Sequence, residues 1–555
     1  MRILIATDNH CGYGEVKKTL YDDAFVTLDE VFQHAKQQNV DFMLLGGDLF
    51  HDNNPTRETQ LRVMRIFRQY VFNGTSTDLE FASRPEVSFA HSQFKRVNFE
   101  DENLGVSLPI FIIHGNHDDL SGTNTTALDV LHEAGLLNLF GRYAEVGRYE
   151  VKPMLIRKPL EDGTTENIAI YGISSQRDDR LARAFNFGKV IFSRPPDAEK
   201  WFSVLVLHQN RPPRSQLRST GSYIGANMIP DFFNLVIWGH EHESFTEAEF
   251  VCTDPSNPSK GVQILQPGST VVTSLTPGEA KPKHCFVLSF HGNNKKFELE
   301  AIPLQTTRQV YVEEANLEQL NFTPPCENTR LADRMDDERY FHQRVEEILE
   351  EAQRERTERC PPLPLIRIKL NYTGCWRKVP PPNQRALGAR YAQRVANPAE
   401  MLMIHRQRET FRRPNIETHK SNSFNEGKAS NVVHDMAKHF QNVEPDGKMN
   451  VLNTEGMIKA YTGYINSTEK SATTMEKKFI DAIRSQLDSY QYQLDTLTES
   501  ANLSPDADGY KDYEERIRQV MYSGDRESVL TQETMTQYGL TQNPSENGSM
   551  DATPY

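Results

Sequence analysis

The sequence predicts an α/β protein: a four-layer α/β/β/α sandwich in its front half, then a small α+β domain and a C-terminal helical segment. Two observations lead there. Short, continuously apolar runs alternate with amphipathic helical stretches between Arg2 and His242. Runs that are apolar at every position suit strands covered on both faces. In addition, most of these runs end in a cluster of polar residues, and open α/β sheets place ligands just beyond the carboxyl ends of their strands.

The first run, 2–7 (RILIAT), ends at Asp8. Residues 24–37 carry Phe25, Leu28, Val31 and Phe32 at helical spacing. A second strand at 40–45 is stopped by Gly46 and Gly47 and leads into Asp48. Residues 57–72 read as a helix with Leu61, Met64, Phe67 and Val71 on one face. The run Pro109–Ile113 leads into His114, Gly115, Asn116, His117 and Asp118, and 127–137 looks helical. Strands follow at 168–173, at 203–207 before His208, and at 235–238 before Gly239, His240 and His242. The runs 262–265 and 284–290 are expected to continue the sheet into a second layer, which favours the sandwich over a single doubly wound sheet. Residues 73–107 interrupt the pattern without clear periodicity, as functional excursions and disordered segments do.

From about residue 305 the character changes. A charged helix at 338–359 presents Phe341, Val345, Ile348 and Ala352 as one stripe, and 365–370 alternates like a strand of a small appended domain. Residues 410–431 read as a linker. Helical segments follow near 431–440 and 455–465. Phe479, Ile483, Leu487, Tyr490 and Leu494 then form a seam, either the core of a small helical domain or a docking face for partner helices. Residues 501–555 hold ten acids against four bases and are expected to be mostly disordered.

Composition narrows the classes. Of 555 residues, 37% are apolar and 25% charged, with a net charge of -14. That predicts a well-packed front and a polar back, and argues against a surface coated in basic residues. It does not exclude a nuclease, because bound divalent cations reset the local field. The six cysteines are scattered with no CxxC pair, so neither a disulfide scaffold nor a Cys-ligated zinc is expected. No signal peptide and no membrane span are expected from the opening residues or from any apolar run.

The chemistry is concentrated in five polar clusters: Asp8-x-His10, Gly46-Gly47-Asp48, Gly115-Asn116-His117-Asp118, His208, and Gly239-His240-x-His242. Strand alternation is expected to put Asp8 and His10 on one side, and likewise His240 and His242. Carboxylate, carboxamide and imidazole together suit Mn, Fe or Zn. A lone D-x-H would be weak, and a lone His208 is more often structural; five complementary clusters at strand ends point to two metal ions. Such ions lie about 3.5–4 Å apart and need a shared ligand. Asp48 is the expected bridge, through its two oxygens. Asp8, His10 and His242 are assigned with it to one ion, and Asn116, His208 and His240 to the other. His117 is placed to protonate a leaving 3′ oxygen or to stabilise its charge, and His51 is a second candidate, for orienting the phosphate.

At these motifs the sequence resembles the calcineurin-like metallophosphoesterases and, more closely, the eukaryotic Mre11 nucleases of Mre11–Rad50 DNA repair complexes. The stretches that carry the resemblance are ATDNHCGY, LLGGDLFHDNNPTRET, IFIIHGNHDD, LVIWGHEHES, QPGSTVVTSLTPGEAKPKH and RVANPAEMLMIHRQRE, with VVHDMAKHF to LNTEGMIKAY further back. The resemblance implies a nuclear, manganese-dependent nuclease with two Mn2+ per subunit, a 3′ to 5′ exonuclease on duplex DNA and an endonuclease on single strands. It places the metal ligands on Asp8, His10, Asp48, Asn116, His208, His240 and His242, the transition-state histidine on His117 and an exonuclease histidine on His51. It divides the chain into a nuclease domain at 1–304, a DNA-binding capping domain at 305–408, a linker at 409–431, a Rad50-like ATPase-binding segment at 432–495 and a tail at 496–555. It further implies a homodimer through 57–72 and 125–137, and an Nbs1- or Xrs2-like third subunit at 73–107. Family members usually carry a small aliphatic residue where Cys11 stands, which removes no ligand. Two other functions stay open: a calcineurin-like phosphatase on proteins or small phosphoesters, and a non-catalytic DNA-tethering scaffold. The appended domain and C-terminal helices weigh against the first, the intact ligand set against the second.

Overall fold

In the computed structural model the described residues are 1–406 apart from 75, 119–124, 144–146, 212–222, 254–255, 292–295 and 321–335, together with 478, 480 and 481. The first apolar run forms the strand Arg2–Ala6. It pairs in parallel with Phe42–Leu45, which pairs with Ile110–Ile112, and that with Asn138–Leu139. His284–Phe290 and Phe297–Pro303 add antiparallel on the other side and complete a six-stranded sheet. A seven-stranded sheet holds Phe202–His208 in parallel between Thr165–Ile173 and Leu235–Gly239, with Gly261–Leu265 beyond and antiparallel strands at both edges.

Alternation along the strands explains why they read as unbroken apolar runs. Leu4, Ala6, Met43, Leu45, Ile110 and Ile112 pack against the helices Asp23–Gln37, Arg57–Val71 and Ala127–Glu133. Their neighbours Ile3, Ile5, Phe42, Leu44 and Phe111 meet Ile168, Ile170, Val204, Val206 and Ile237 of the second sheet. The far face of that sheet, with Tyr171, Leu205 and Trp238, is covered by Leu181 and Ala184 of the helix Asp178–Asn186. Helix, sheet, sheet and helix are therefore the four layers. Each buried Leu, Ile or Phe contributes about 1.5–3 kcal/mol of burial free energy, and both faces of both sheets supply it.

Three local expectations need correction. The run 284–290 joins the first sheet beside Arg2–Ala6, and only 261–265 joins the second. Helix Arg57–Val71, capped by the Thr56 hydroxyl on Thr59 N at 3.2 Å, buries Thr59, Val63, Phe67 and Val71, while Leu61 is 41% exposed. Both stripes have helical spacing, and only the packing partner selects between them. The helix expected at 127–137 ends at Glu133, because Gly135 takes a left-handed φ of 72° and turns Leu136 and Leu137 toward the strand Asn138–Leu139. Residues 73–107 are irregular yet anchored. Leu79, Phe81, Phe89 and Val97 enter the core between the sheets, and Glu80–Phe81 pairs at the edge of the second sheet.

Beyond Leu304 a parallel three-stranded sheet, Val310–Asn316, Leu365–Tyr372 and Leu402–Arg406, packs under the helix Asp336–Glu355. Phe341, Val345 and Ile348 meet Ile366, Ile368 and Leu370 in a core of their own. Two buried carboxylates tie this part to the first helix. Arg308 donates twice to Asp23, at 2.7 Å each, and Glu30 accepts from the backbone N–H groups of Gln305 and Thr306 at 3.0 and 2.9 Å. No helix among the described residues is long and apolar enough to cross a membrane. The seam residues Phe479, Ile483, Leu487, Tyr490 and Leu494, the linker and the tail lie outside the described residues.

Candidate metal centre

The strand ends deliver the polar clusters to one place, by a route that strand alternation did not anticipate. The strands stop at Ala6 and Gly239, and the backbone beyond them turns left-handed: φ is 53° at Asp8, 46° at His10, 50° at Asp48 and 82° at His240. Such non-glycine residues cost about 1–3 kcal/mol each and persist only where surrounding contacts over-determine them. Here the loops after Arg2–Ala6 and Phe42–Leu45 zip together. Asp8 N–H donates to Gly47 O at 3.0 Å, His10 N–H to Asp48 O at 3.0 Å and Cys11 N–H to Leu49 O at 2.8 Å. Asp118, fully buried in the loop after Ile110–Ile112, accepts from Leu49, Phe50 and Gly115 N–H at 3.1–3.2 Å and binds the third loop to the second. Gly115 has no alternative: a Cβ there would stand 1.9 Å from Asp48 Oδ1.

Two donor sets result. Asp8, His10 and His242 bring ligand atoms within 4.8 Å of one another, and so do Asp48, His208 and His240. In the first, His10 Nε2 and His242 Nε2 face each other at 3.1 Å, with Asp8 Oδ1 at 3.6 Å from His242 Nε2. In the second, His208 Nε2 lies 3.3 Å from Asp48 Oδ2 and 3.1 Å from Asn116 Oδ1, which is also 2.7 Å from His240 Nδ1. Asp48 Oδ2 stands 3.8 Å from His10 Nε2 as well, so it looks into both sets. Its other oxygen accepts from His117 N–H at 2.8 Å. Oδ2 thus faces both sets, while Oδ1 takes a backbone N–H.

These residues fit divalent metal ions. Asp8 Oδ1 is buried and has no hydrogen-bond partner among the described residues. Two carboxylates, a carboxamide and four imidazoles are the donors that Mn, Fe or Zn accept. The field agrees. Burial works against a charged His208, but Asp48 and Asp8 outweigh it and push the imidazole up to about 10, so positive charge is favoured there. His10 goes the other way, held well below its ordinary value by burial and by the neighbouring His242, His117 and His51. Burial opposes the charge on Asp48, yet His208, His10 and His117 keep it below the usual carboxylate range.

His51 and His117 form the lip. Their rings stack at 5.0 Å with 21° between planes, and both rest edge-on against His10. His117 Nδ1 donates to the His51 carbonyl, so Nε2 is the nitrogen left to exchange a proton. All candidate metal and catalytic residues of the front half thus meet in one cleft. Sequence reading missed the residues that hold them. Asp118 was visible only as part of its cluster. His242 Nδ1 faces Thr273 Oγ1 at 2.9 Å and Glu279 Oε1 at 3.2 Å, and His240 Nε2 faces Asn210 Oδ1 at 3.0 Å. Glu279 and Asn210 carry no local motif; proximity of QPGSTVVTSLTPGEAKPKH to the site was the available signal.

Fold and centre define the class: a calcineurin-like phosphoesterase, built for two-metal hydrolysis of phosphodiesters. Residues 1–244 match the family model described as calcineurin-like phosphoesterase, and residues 297–464 match the Mre11 DNA-binding presumed domain. The chain is 43% identical over 505 residues to the double-strand break repair protein mre-11 of Caenorhabditis elegans, covering 88% of this chain and 68% of that one. It is 36% identical over 510 residues to the double-strand break repair protein MRE11 of Homo sapiens, covering 88% and 68%. With mus-23 of Neurospora crassa it shares 40% identity over 426 residues, covering 73% of this chain and 54% of that one. The chain belongs to the Mre11 family.

Proposed function

We propose that the chain is the manganese-dependent nuclease subunit of a DNA double-strand break repair complex, acting 3′ to 5′ on duplex ends and endonucleolytically on single strands. The observation that carries this is Asp48 Oδ2, which stands 3.8 Å from His10 Nε2 and 3.3 Å from His208 Nε2 and so faces both donor sets. Asp8, His10 and His242 would hold one ion, and Asn116, His208 and His240 the other. Bound there, the ions supply Lewis acidity and a water made nucleophilic near neutral pH. The chain's own groups do the rest. His51 orients the phosphate. His117, held through Nδ1 by the His51 carbonyl, acts in its protonated form: Nε2–H gives its proton to the leaving 3′ oxygen and the ring is left neutral, a role worth about 10²–10⁴-fold in rate.

The test uses purified protein, Mn2+, end-labelled blunt duplex DNA and, in parallel, a phosphopeptide. The duplex should shorten from its 3′ ends, and His117→Asn should slow this by about 10²–10⁴-fold while leaving duplex binding intact. Brisk phosphopeptide turnover without DNA cleavage, or an unimpaired His117→Asn protein, would sink the reading.

The partners follow the family. A homodimer through Arg57–Val71 and Ala127–Glu133 is supported by the exposure of Leu61 and Val130, at 41% and 53%. An unchanged sedimentation coefficient for Leu61→Arg would count against it. Residues 432–495 are assigned to a Rad50-like SMC ATPase, through Phe479, Ile483, Leu487, Tyr490 and Leu494. Copurification that survives their deletion would reject that. An Nbs1- or Xrs2-like subunit is assigned to 73–107, where Phe94 is 59% exposed; undiminished capture by Phe94→Asp would reject it. The expected compartment is the nucleus, read by imaging the tagged chain.

A further inference from the structure

We propose that Glu279 is the positioning residue of the metal centre: its carboxylate takes the Nδ1–H of His242 and so fixes the ring with Nε2 toward Asp8 and His10. The proposal rests on the two-ion reading above and names what keeps one ligand of that site in register.

His242 is the ligand most in need of such help. It lies beyond the end of Leu235–Gly239, its side chain is 21% exposed, and no strand holds its ring. A free imidazole there could rotate or change tautomer, and either would turn a proton toward the centre. The structure removes both freedoms. Glu279 Oε1 lies 3.2 Å from His242 Nδ1, and Thr273 Oγ1 lies 2.9 Å from the same atom. A carboxylate that has only acceptors makes Nδ1 the donor, leaving the Nε2 lone pair for the ion.

Glu279 is itself held on every side. It is 5% exposed. Thr273 N–H donates to its Oε2 at 2.8 Å and Ser274 Oγ to its Oε1 at 2.6 Å. Lys283, 1% exposed, stands 4.0 Å from Oε2. The same Nζ donates to the His242 carbonyl at 2.9 Å and to Ser269 Oγ at 2.9 Å. One buried ion pair therefore grips His242 at both ends, ring and backbone. A buried charged pair of this kind is costly unless its geometry is complete, and completing it at a ligand gives the expense a purpose. Carboxylate–histidine–metal relays orient ligands in this way, and losing the outer carboxylate weakens metal affinity by about 10–100-fold.

The experiment titrates metal-free full-length protein with MnCl2 by isothermal calorimetry, with circular dichroism melts alongside. Wild type should take up two ions. Glu279→Gln should weaken one of them by about 10–100-fold and leave the other within about threefold, and saturating Mn2+ should restore most of the turnover. Thr273→Val, which removes the hydroxyl that meets Nδ1 at 2.9 Å and donates to Glu279 Oε1 at 3.4 Å, should weaken the same ion as well; it decides the matter if Glu279→Gln does not fold. Wild type that binds no Mn2+ would overturn the two-ion reading itself. Two ions taken up with wild-type affinity by the folded variants would overturn the role of Glu279 alone. A Glu279→Gln defect that no Mn2+ concentration repairs would also overturn it, since that marks general damage.

Discussion

The floor of the centre and its rim are held by different means. Asp8, His10, Asp48 and His208 form the floor, each with a side chain 1% exposed or less. Asp8, His10 and Asp48 are placed by backbone: left-handed φ angles and the N–H to carbonyl zipper between adjacent loops. His208 Nδ1 extends that pattern by meeting the Gly46 carbonyl at 2.8 Å. His240, His242 and Asn116 form the rim, nearer to solvent; His240 shares the left-handed backbone of the floor, with φ at 82°, but side chains from other loops hold both histidine rings. Asn210 serves His240, and Asp178 in turn contacts Asn210 Nδ2 at 2.5 Å; Glu279 and Thr273 serve His242. A floor made of backbone cannot be adjusted without disturbing the sheets below it. A rim held by side chains can vary in metal affinity while the fold stays intact.

That difference can be broken or sharpened by measurement. Asp48→Asn should have the largest effect. It removes the charge that both donor sets share, so Mn2+ should no longer raise the melting temperature, and DNA cleavage should fall by about 10³-fold or more. A variant that keeps a two-ion titration would show that Asp48 is not shared. Gly115→Ala comes next. Its Cβ would overlap Asp48 Oδ1 at 1.9 Å, so urea unfolding should report a loss of several kcal/mol, about 3 or more, from overpacking and a displaced buried carboxylate. An unchanged unfolding midpoint would contradict the rigid floor. Asn210→Ala should have the smallest effect. It frees His240 Nε2 at an exposed position, so calorimetry should find one ion weakened by up to about tenfold with the melt of the metal-free protein unmoved. A destabilised metal-free protein would mean that the rim, too, supports the fold.

Much of the floor was legible in the residues themselves. Asp8, His10, Asp48 and His208 each follow an apolar strand, and the glycines beside Asp48 and Asn116 announce close approach. The rim ligands were legible as residues, but their supports were not. Glu279 lies 37 positions from His242 and Asp118 lies 70 from Asp48, and neither separation has a local signature. Helix Arg57–Val71 makes the same point in the core: Leu61 and Val63 both fit a helical stripe, and Val63 is the one buried, in the core that holds Phe25, Phe32 and Leu45.

By itself the sequence determined the strand–helix alternation, the ligand types and their station at strand ends, because hydrophobic period and donor chemistry are local properties. Only the tertiary structure decided which strand joins which sheet, that Asp48 faces both donor sets with one oxygen, that left-handed backbone rather than strand alternation aims Asp8 and His10, and that Glu279 and Lys283 grip His242. Each of those is settled by groups far apart in the chain competing for the same space and the same hydrogen bonds, and that competition exists only once the two sheets have closed on one another.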